Sequence, residues 1–349
     1  MKKLITLLLC LAMTLAMAAC GNAAPAADTT GNAGGSTKEE PAVSSGEKIQ
    51  YSYCVHTASG FMDEAMELFA ERLSELSDGR FVATSYTPGT MGNEAELVDA
   101  VLMGDMTFST PADTLTFQAT GLYDWGSLPG LVTSAEEANK YLLSQNGHMS
   151  QMINEQFAEK GIVRLAGLDN GFRCIASTKP VETLKDIQGL KTRVANVPLM
   201  MGLYSGAGIQ STVIDSSETM TALQQGTVDA VENSFVNLAN QGYIDLCDKV
   251  LAINFIYSSR SIVCNADWFN ALSAEDQELV RQAAQEAADY ANGEFSKQYE
   301  ELLNDSRWTV YDLSDEQYAA FQASADKLWD SARADCDPAI LDALLAGKN

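Results

Sequence analysis

Residues 184–236 read LKDIQGLKTRVANVPLMMGLYSGAGIQSTVIDSSETMTALQQGTVDAVENSFV. In this stretch, short β-rich runs alternate with apolar residues at helical spacing. The pattern predicts strands at Leu190–Ala195, Ile209–Val213 and Val228–Val231, and helices at Pro198–Tyr204 and Asp215–Gln225. Asp215 and Glu218 have the spacing of a capping box, although Asp replaces the usual Ser or Thr. Such alternation indicates an α/β fold with a parallel sheet.

The N-terminal part of the chain repeats this alternation. The predicted strands are Ile49–Val55, Arg80–Tyr86 and Met106–Ser109, with helices from Ser59 or Gly60 to Leu76 and from Asn93 to Met103. Two later runs, Ile162–Leu165 and Phe172–Ala176, predict separate strands. The segments Glu96–Phe108 and Glu218–Ala230 share Glu, Ala and Gly at the same offsets. Any α/β protein can contain such a repeated pattern by chance, but two similarly wound lobes would also produce it. A cleft between two such lobes would suit a small ligand.

The last hundred residues are mainly helical. Ser273 with Asp276, and Ser314 with Gln317, have the spacing of helix N-termini. We therefore expect lobe I at 48–168 with parts of 255–349, lobe II at 169–254, and a crossover strand and long C-terminal helices within 255–349 that pack on both lobes.

The first 47 residues predict export and anchoring. Lys2 and Lys3 precede the apolar run Leu4–Leu15, which is too short for a permanent membrane span and is typical of a signal peptide over 1–19. Small residues before Cys20 resemble a bacterial lipobox, which makes Cys20 the predicted lipidation site; an ordinary signal peptide with a chance Cys is the alternative. Residues 20–47, rich in Ala, Gly, Ser and Thr, predict the lipid anchor and a flexible linker.

Composition excludes several classes of function. The formal charge of −25 argues against nucleic acid as a partner, and it means that an anion site must depend on local positive charge. The chain has only two histidines, His56 and His148, and no CxxC spacing, so we expect no metal site and no cofactor. Five cysteines lie beyond Cys20; free buried thiols are the simpler interpretation, and one disulfide is the alternative.

Two arginines are the candidates for ligand binding. On an alternating strand, Lys191, Arg193 and Ala195 face one way, and an arginine fork matches a carboxylate with two charge-assisted hydrogen bonds. Arg173 and Asn233 are further candidates, the latter at the end of a strand beside the expected crevice. A surface ion pair for Arg193 and a turn role for Asn233 remain alternatives.

Two aromatic side chains are weaker candidates. Trp125 could form an apolar wall of the site or could pack in the core. His56, just after the first strand, could contact a ligand or be an ordinary loop residue.

The segment quoted at the start resembles the solute-binding proteins of TRAP transporters, the DctP-type family. LKDIQGLKTRV and TALQQGTVDAVENSF carry the resemblance, which extends to Gly89–Glu94 and to Trp268 with Leu272–Asp276. It implies a two-lobed, type II periplasmic-binding-protein fold that closes like a Venus flytrap. It also places the family's carboxylate-clamping arginine on Arg193, its second arginine on Arg173 and its asparagine on Asn233. Ala195–Asn196, Gly130–Leu131 and Phe235 depart from the family pattern, which leaves the shape of the pocket open.

The resemblance implies a monomeric, extracytoplasmic binding protein and not an enzyme. It would capture a small organic acid, such as a sugar acid or dicarboxylate, and deliver it to the small and large membrane subunits of the transporter. Glu94 and His56 would contact the far end of the ligand. A ligand sensor or the receptor of another transporter class is the alternative, and a secreted hydrolase is disfavoured because the chain lacks a G-x-S-x-G elbow.

Overall fold

The computed structural model describes residues 46–56 and 60–347. The predicted signal peptide, Cys20 and nearly all of the predicted linker lie outside these residues. Within the described ranges, none of the helices combines the length and apolarity that a membrane span requires.

The strands of the described residues share one mixed sheet. They are β1 Ile49–Tyr53, β2 Phe81–Ser85, β3 Phe108–Ser109, β4 Ile162–Ser177, β5 Lys191–Val194, β6 Gln210–Val213, β7 Ala230–Ser234, β8 Lys249–Ala252, β9 Tyr257–Asn265 and β10 Thr309–Asp312. The main order is β2-β1-β3-β9-β4-β7-β5-β6, and β8 joins β4 to β10.

Helices alternate with the strands and then dominate the C-terminal region. They are α1 Phe61–Leu76, α2 Glu94–Met103, α3 Asp113–Ala119, α4 Ala135–Glu137, α5 His148–Ala158, α6 Leu184–Gln188, α7 Pro198–Gly206, α8 Ser216–Gln224, α9 Phe235–Asn240, α10 Ala266–Asn270, α11 Ala274–Leu303, α12 Asp315–Asp335 and α13 Pro338–Ala346.

Strand directions confirm the α/β class and show how the two halves join. β1 pairs in parallel with β2 and β3, and β5 pairs in parallel with β6 and β7. β4 and β9 are antiparallel to each other and lie between these two groups. β9 lies within the region where the crossover strand was expected.

The prediction of two separate strands at Ile162–Leu165 and Phe172–Ala176 is wrong, because both belong to the 16-residue strand β4. Register shifts between Arg164 and Ala166, and between Asp169 and Gly171, interrupt its pairing with β9. Gly171 adopts a φ of 76° at the second shift. The first part of β4 pairs with β9, whereas Arg173–Ser177 pairs with β7, so one strand passes from one half of the sheet to the other.

Most of the helix caps that the sequence predicts are formed. Asn93 and Ser314 form complete capping boxes with Glu96 and Gln317. The expected reciprocal bond between Asp215 and Glu218 is not formed; the Asp215 side chain instead accepts from the Ser217 backbone N–H, 2.9 Å away. The two echoing segments both end their helices with a left-handed glycine, Gly104 and Gly226.

Four apolar clusters stabilise the two halves. Helices α1 and α11 share one cluster with β1, β3 and β9, which includes Phe69, Phe108 and Ala287. Helix α12 packs Phe321 against the second half, and Ala332 in its last turn packs against the first half. The long helix therefore contacts both halves. The five cysteines of the described residues are buried free thiols.

Candidate functional site

A cavity of about 70 Å³ lies where both halves of the sheet present polar residues. Five of the six predicted binding residues line it: His56, Glu94, Arg173, Arg193 and Asn233. Arg173, Arg193 and Asn233 come from the adjacent strands β4, β5 and β7, whereas His56 follows β1 and Glu94 opens α2. The fold thus brings together residues that lie up to 177 positions apart in the chain.

Arg193 is a buried cation, only 4% exposed. Its Nε donates to the Ile214 carbonyl at 2.8 Å, and its Nη1 donates to the Glu232 carbonyl at 3.4 Å. Within residues 46–56 and 60–347, no carboxylate oxygen lies within 4.0 Å of its guanidinium. Burial lowers the pKa of Arg193 despite the nearby Glu232. Its Nη2 donates to no described residue, so the guanidinium retains hydrogen-bonding capacity.

Arg173 is equally buried but already neutralised. Its Nε donates to the carboxylate of Glu232, a side chain that is 0% exposed. Burial alone would lower the pKa of Arg173, but the attraction of Glu232 outweighs it and raises that pKa. A buried pair of this kind costs several kcal/mol when one partner is removed, so Arg173 and Glu232 hold each other in place.

Asn233 links this pair to the cavity. Its Oδ1 accepts from Arg173 Nη1 at 3.2 Å and from the Ser234 backbone N–H at 2.9 Å. Because both of these partners are obligate donors, the oxygen of the amide must face them. The amide NH₂ then makes no hydrogen bond within the described residues and can donate to a ligand oxygen.

A second charged cluster lines the cavity from the first half of the sheet. Arg260 Nη2 donates to Glu94 Oε1 at 2.5 Å and contacts His56 Nδ1 at 3.1 Å, while His56 Nε2 lies 3.5 Å from Glu94 Oε2. Burial would raise the pKa of Glu94, but Arg260 and His56 outweigh it and lower that pKa. Burial lowers the pKa of His56, which favours a neutral imidazole at pH 7.

Trp125 lies elsewhere, so the expected apolar wall is not formed by this residue. Its indole is fully buried in the first half, 5.6 Å from the Phe117 ring between centroids, and its N–H donates to Gln156 at 2.9 Å. The alternative role, core packing, is the one that the structure gives. Ala112, Leu115, Ala195, Val197 and Met200 supply the apolar lining instead.

Sequence reasoning missed Arg260 and most of the neutral polar lining. Arg260 is the only charged residue in the run Leu251–Asn265, so an isolated charge in a β-rich segment was an available signal. Seven uncharged side chains with hydrogen-bonding groups line the cavity: Thr114, Asn170, Ser216, Asn233, Asn237, Gln241 and Ser258. Of these, only Asn233 was predicted, because isolated Ser and Asn residues carry no distinctive spacing.

No group of three or more potential metal ligands occurs in the part of the chain that the structure describes. The two-lobed α/β fold and a buried cavity lined by arginines and neutral polar groups define a protein that binds a small polar solute.

Comparisons with known proteins give the family. Residues 53–335 match DctP, the family 7 of bacterial extracellular solute-binding proteins. A solute-binding protein of Roseobacter denitrificans is 30% identical over 271 residues, which cover 74% of this chain and 78% of that protein. The chain therefore belongs to the DctP family, whose members are solute-binding proteins of TRAP transporters and not enzymes.

Solved structures agree with this fold. The sugar acid binding protein of Advenella mimigardefordensis, in complex with galactonate, superposes with a TM-score of 0.78 at 21% identity and covers 86% of this chain and 98% of its own. A TRAP periplasmic solute-binding protein of Sulfitobacter sp. NAS-14.1, with bound β-D-galacturonate, gives 0.77 at 21% identity, with coverage of 85% and 98%. At these identities the likeness establishes the two-lobed fold alone.

Proposed function

We propose that the chain is the extracytoplasmic receptor of a TRAP transporter, and that it captures a small organic acid by pairing the acid's carboxylate with Arg193. The observation that carries this proposal is the state of Arg193: it is buried, it lines the cavity, and it has no carboxylate partner among the described residues. A desolvated cation is costly unless it is paired, and a ligand carboxylate would supply the missing pair.

The neighbouring groups suit the same role. The unpaired NH₂ of Asn233 can donate to the carboxylate, while Glu232 fixes Arg173 beside it. Arg173, Arg193 and Glu232 together carry a net charge of +1, which matches one carboxylate. This local positive charge stands against the chain's overall charge of −25, so attraction of the anion depends on the cavity and not on the surface.

Both halves of the sheet contribute to the site, so a bound acid would hold them together. Closure of the two lobes around the solute would present one surface to the membrane subunits, which would then accept the acid. The proposal includes attachment of the receptor to the outer face of the membrane through a lipidated Cys20 and the tether that follows it. It also takes the receptor to be a monomer.

A thermal-shift screen of the chain from residue 21 onward tests the binding function. The panel would contain aldonates, uronates, C4-dicarboxylates and keto acids, each beside its uncharged amide or alcohol. A ligand at 100 times its Kd stabilises the folded state by about 2.7 kcal/mol. At an unfolding entropy of about 2.1 cal/mol/K per residue over about 300 folded residues, this raises Tm by roughly 4 °C. We expect at least one acid to do so and its neutral analogue to have no effect. Equal shifts from the neutral analogues, or no shift from any acid, would contradict the proposal.

Attachment has a separate test. Growth with a radiolabelled fatty acid should label the full chain, and Cys20→Ala should abolish the label. Labelling that persists in this variant would show that Cys20 is not the site.

A further inference from the structure

The two charged clusters that line the cavity, one from each half of the sheet, differ in their net charge. At the Arg193 end, Arg173 and Arg193 face a single carboxylate, Glu232, so one positive charge is left over. At the opposite end, Arg260 is paired with Glu94 at 2.5 Å, so that end carries no excess charge while His56 is neutral. The cavity can therefore compensate one ligand anion at one end and none at the other.

Glu94 is held firmly in this position. Its Oε1 accepts from the Ala112 backbone N–H at 2.7 Å as well as from Arg260, and its backbone forms the first residue of α2. Arg260 is fixed independently, since its Nε donates to the Thr110 carbonyl at 3.0 Å. A second ligand carboxylate would have to displace Glu94 from Arg260 or lie beside it unpaired, and either arrangement is costly in a buried site.

Neutral hydrogen-bonding groups line the space between the two clusters. Asn237 Nδ2 donates to Asn170 Oδ1 at 2.7 Å, and the Ser216 hydroxyl lies 3.4 Å from Gln241 Oε1. Amides and hydroxyls both donate and accept, which is what the hydroxyl groups of a ligand require.

We propose that the site selects a monocarboxylate whose far end is uncharged and hydroxylated, and that Glu94 excludes acids with a second carboxylate at that end. This inference rests on the proposed function, because it assigns the first carboxylate to Arg193. It narrows the ligand from organic acids in general to hydroxylated monocarboxylates, such as aldonates or uronates.

The remaining charged groups near the far end do not alter this balance at neutral pH. The charge of Asp215 acts to raise the pKa of both His56 and Arg193, against the larger effect of burial. This carboxylate is exposed at the N-terminus of α8 and accepts a hydrogen bond from the Ser217 backbone N–H. Its charge is screened by solvent. The burial that lowers the pKa of His56 keeps that ring neutral beside Glu94 and Arg260.

Calorimetry with matched acids tests the inference. Galactonate and galactarate differ only at C6, where the first carries a hydroxymethyl group and the second a carboxylate; threonate and tartrate form the same contrast on four carbons. If another acid in the panel binds most tightly, it is compared with the analogue that differs only in a far-end carboxylate. We expect the monocarboxylate to bind at least about 10-fold more tightly, since an unpaired buried charge costs more than 1.4 kcal/mol.

Glu94→Gln should reduce this preference about 10-fold or more, because the far end then carries the unpaired charge of Arg260. Glu278→Gln is the matched control: it makes the same change in charge at an exposed position on α11 and should leave the preference intact. A dicarboxylate that binds the unmodified chain as tightly as its monocarboxylate partner would overturn the inference, even if Glu94→Gln failed to fold. An unchanged preference in folded Glu94→Gln would also overturn it. Failure of every acid in the panel to bind would overturn the proposed function itself.

Discussion

Arg193→Met removes the charge and the fork of Arg193 while keeping an unbranched side chain of similar length. Truncating one partner of a buried charge pair costs about 3–5 kcal/mol, so the affinity for the tightest-binding acid should fall about 150- to 4,000-fold. Two hydrogen bonds to backbone carbonyls are also lost, at about 1 kcal/mol each, but the buried cation no longer has to be desolvated. We therefore expect the free energy of unfolding without ligand to change by less than about 2 kcal/mol.

Isothermal titration calorimetry measures the affinity, and urea unfolding measures the stability. Arg193→Lys should give an intermediate loss, because it keeps the charge but not the two parallel hydrogen bonds. Lys191→Met is the matched control, since Lys191 precedes Arg193 by two residues on β5, carries the same charge and is exposed. An affinity for Arg193→Met within about threefold of the unmodified chain, or an equal loss in Lys191→Met, would refute the carboxylate pairing.

Three further substitutions test the surroundings of the site. Burial raises the pKa of the Asp169 carboxyl to about 6 from 3.8, despite a hydrogen bond from Tyr257. The stability that this carboxyl contributes is complete below pH 3.8 and is lost as pH rises through 6. In urea unfolding, the free energy of unfolding of Asp169→Asn should therefore rise by up to roughly 3 kcal/mol relative to the unmodified chain between pH 4 and pH 7. Identical pH dependence in the two proteins would contradict this. Trp125→Phe should lower the free energy of unfolding by about 1–3 kcal/mol, since this side chain lies in the core. The affinity for the acid should stay unchanged within about twofold, and a large loss of affinity in calorimetry would show that Trp125 contributes to binding. Glu232→Gln should destabilise the protein by about 3–5 kcal/mol in urea, because it leaves Arg173 buried without a carboxylate, and unchanged stability would show that the pair is dispensable.

The arrangement of the site is consistent with the proposed binding of an anion by so acidic a protein. The three buried arginines of the cavity differ in their partners. Glu232 neutralises Arg173 and Glu94 neutralises Arg260, whereas Arg193 donates only to backbone carbonyls among the described residues. The pairing pattern, and not the number of arginines, therefore sets how many ligand charges the cavity can accept.

Local sequence signals predicted most of the secondary structure. Helical periodicity and caps located α1, α2 and α8 to within a few residues, and they located the starts of α11 and α12, because caps and turns depend on near neighbours. The same signals divided β4 into two strands, since the polar residues Asp169, Asn170 and Gly171 resemble a turn. Only pairing with β9 and β7, from distant parts of the chain, keeps this segment extended.

The sequence by itself determined that the chain is an α/β protein with an N-terminal export pattern. The motif around Arg193 with Asn233 pointed to residues that line the cavity and that we propose bind the ligand. Only the tertiary structure decided which arginine lacks a carboxylate partner, that Arg260 joins Glu94 and His56, and that Trp125 belongs to the core. The physical reason is that the burial and pairing of a charge depend on residues far away in the chain. A local pattern shows that an arginine is present, but the fold decides which carboxylate, if any, lies beside it.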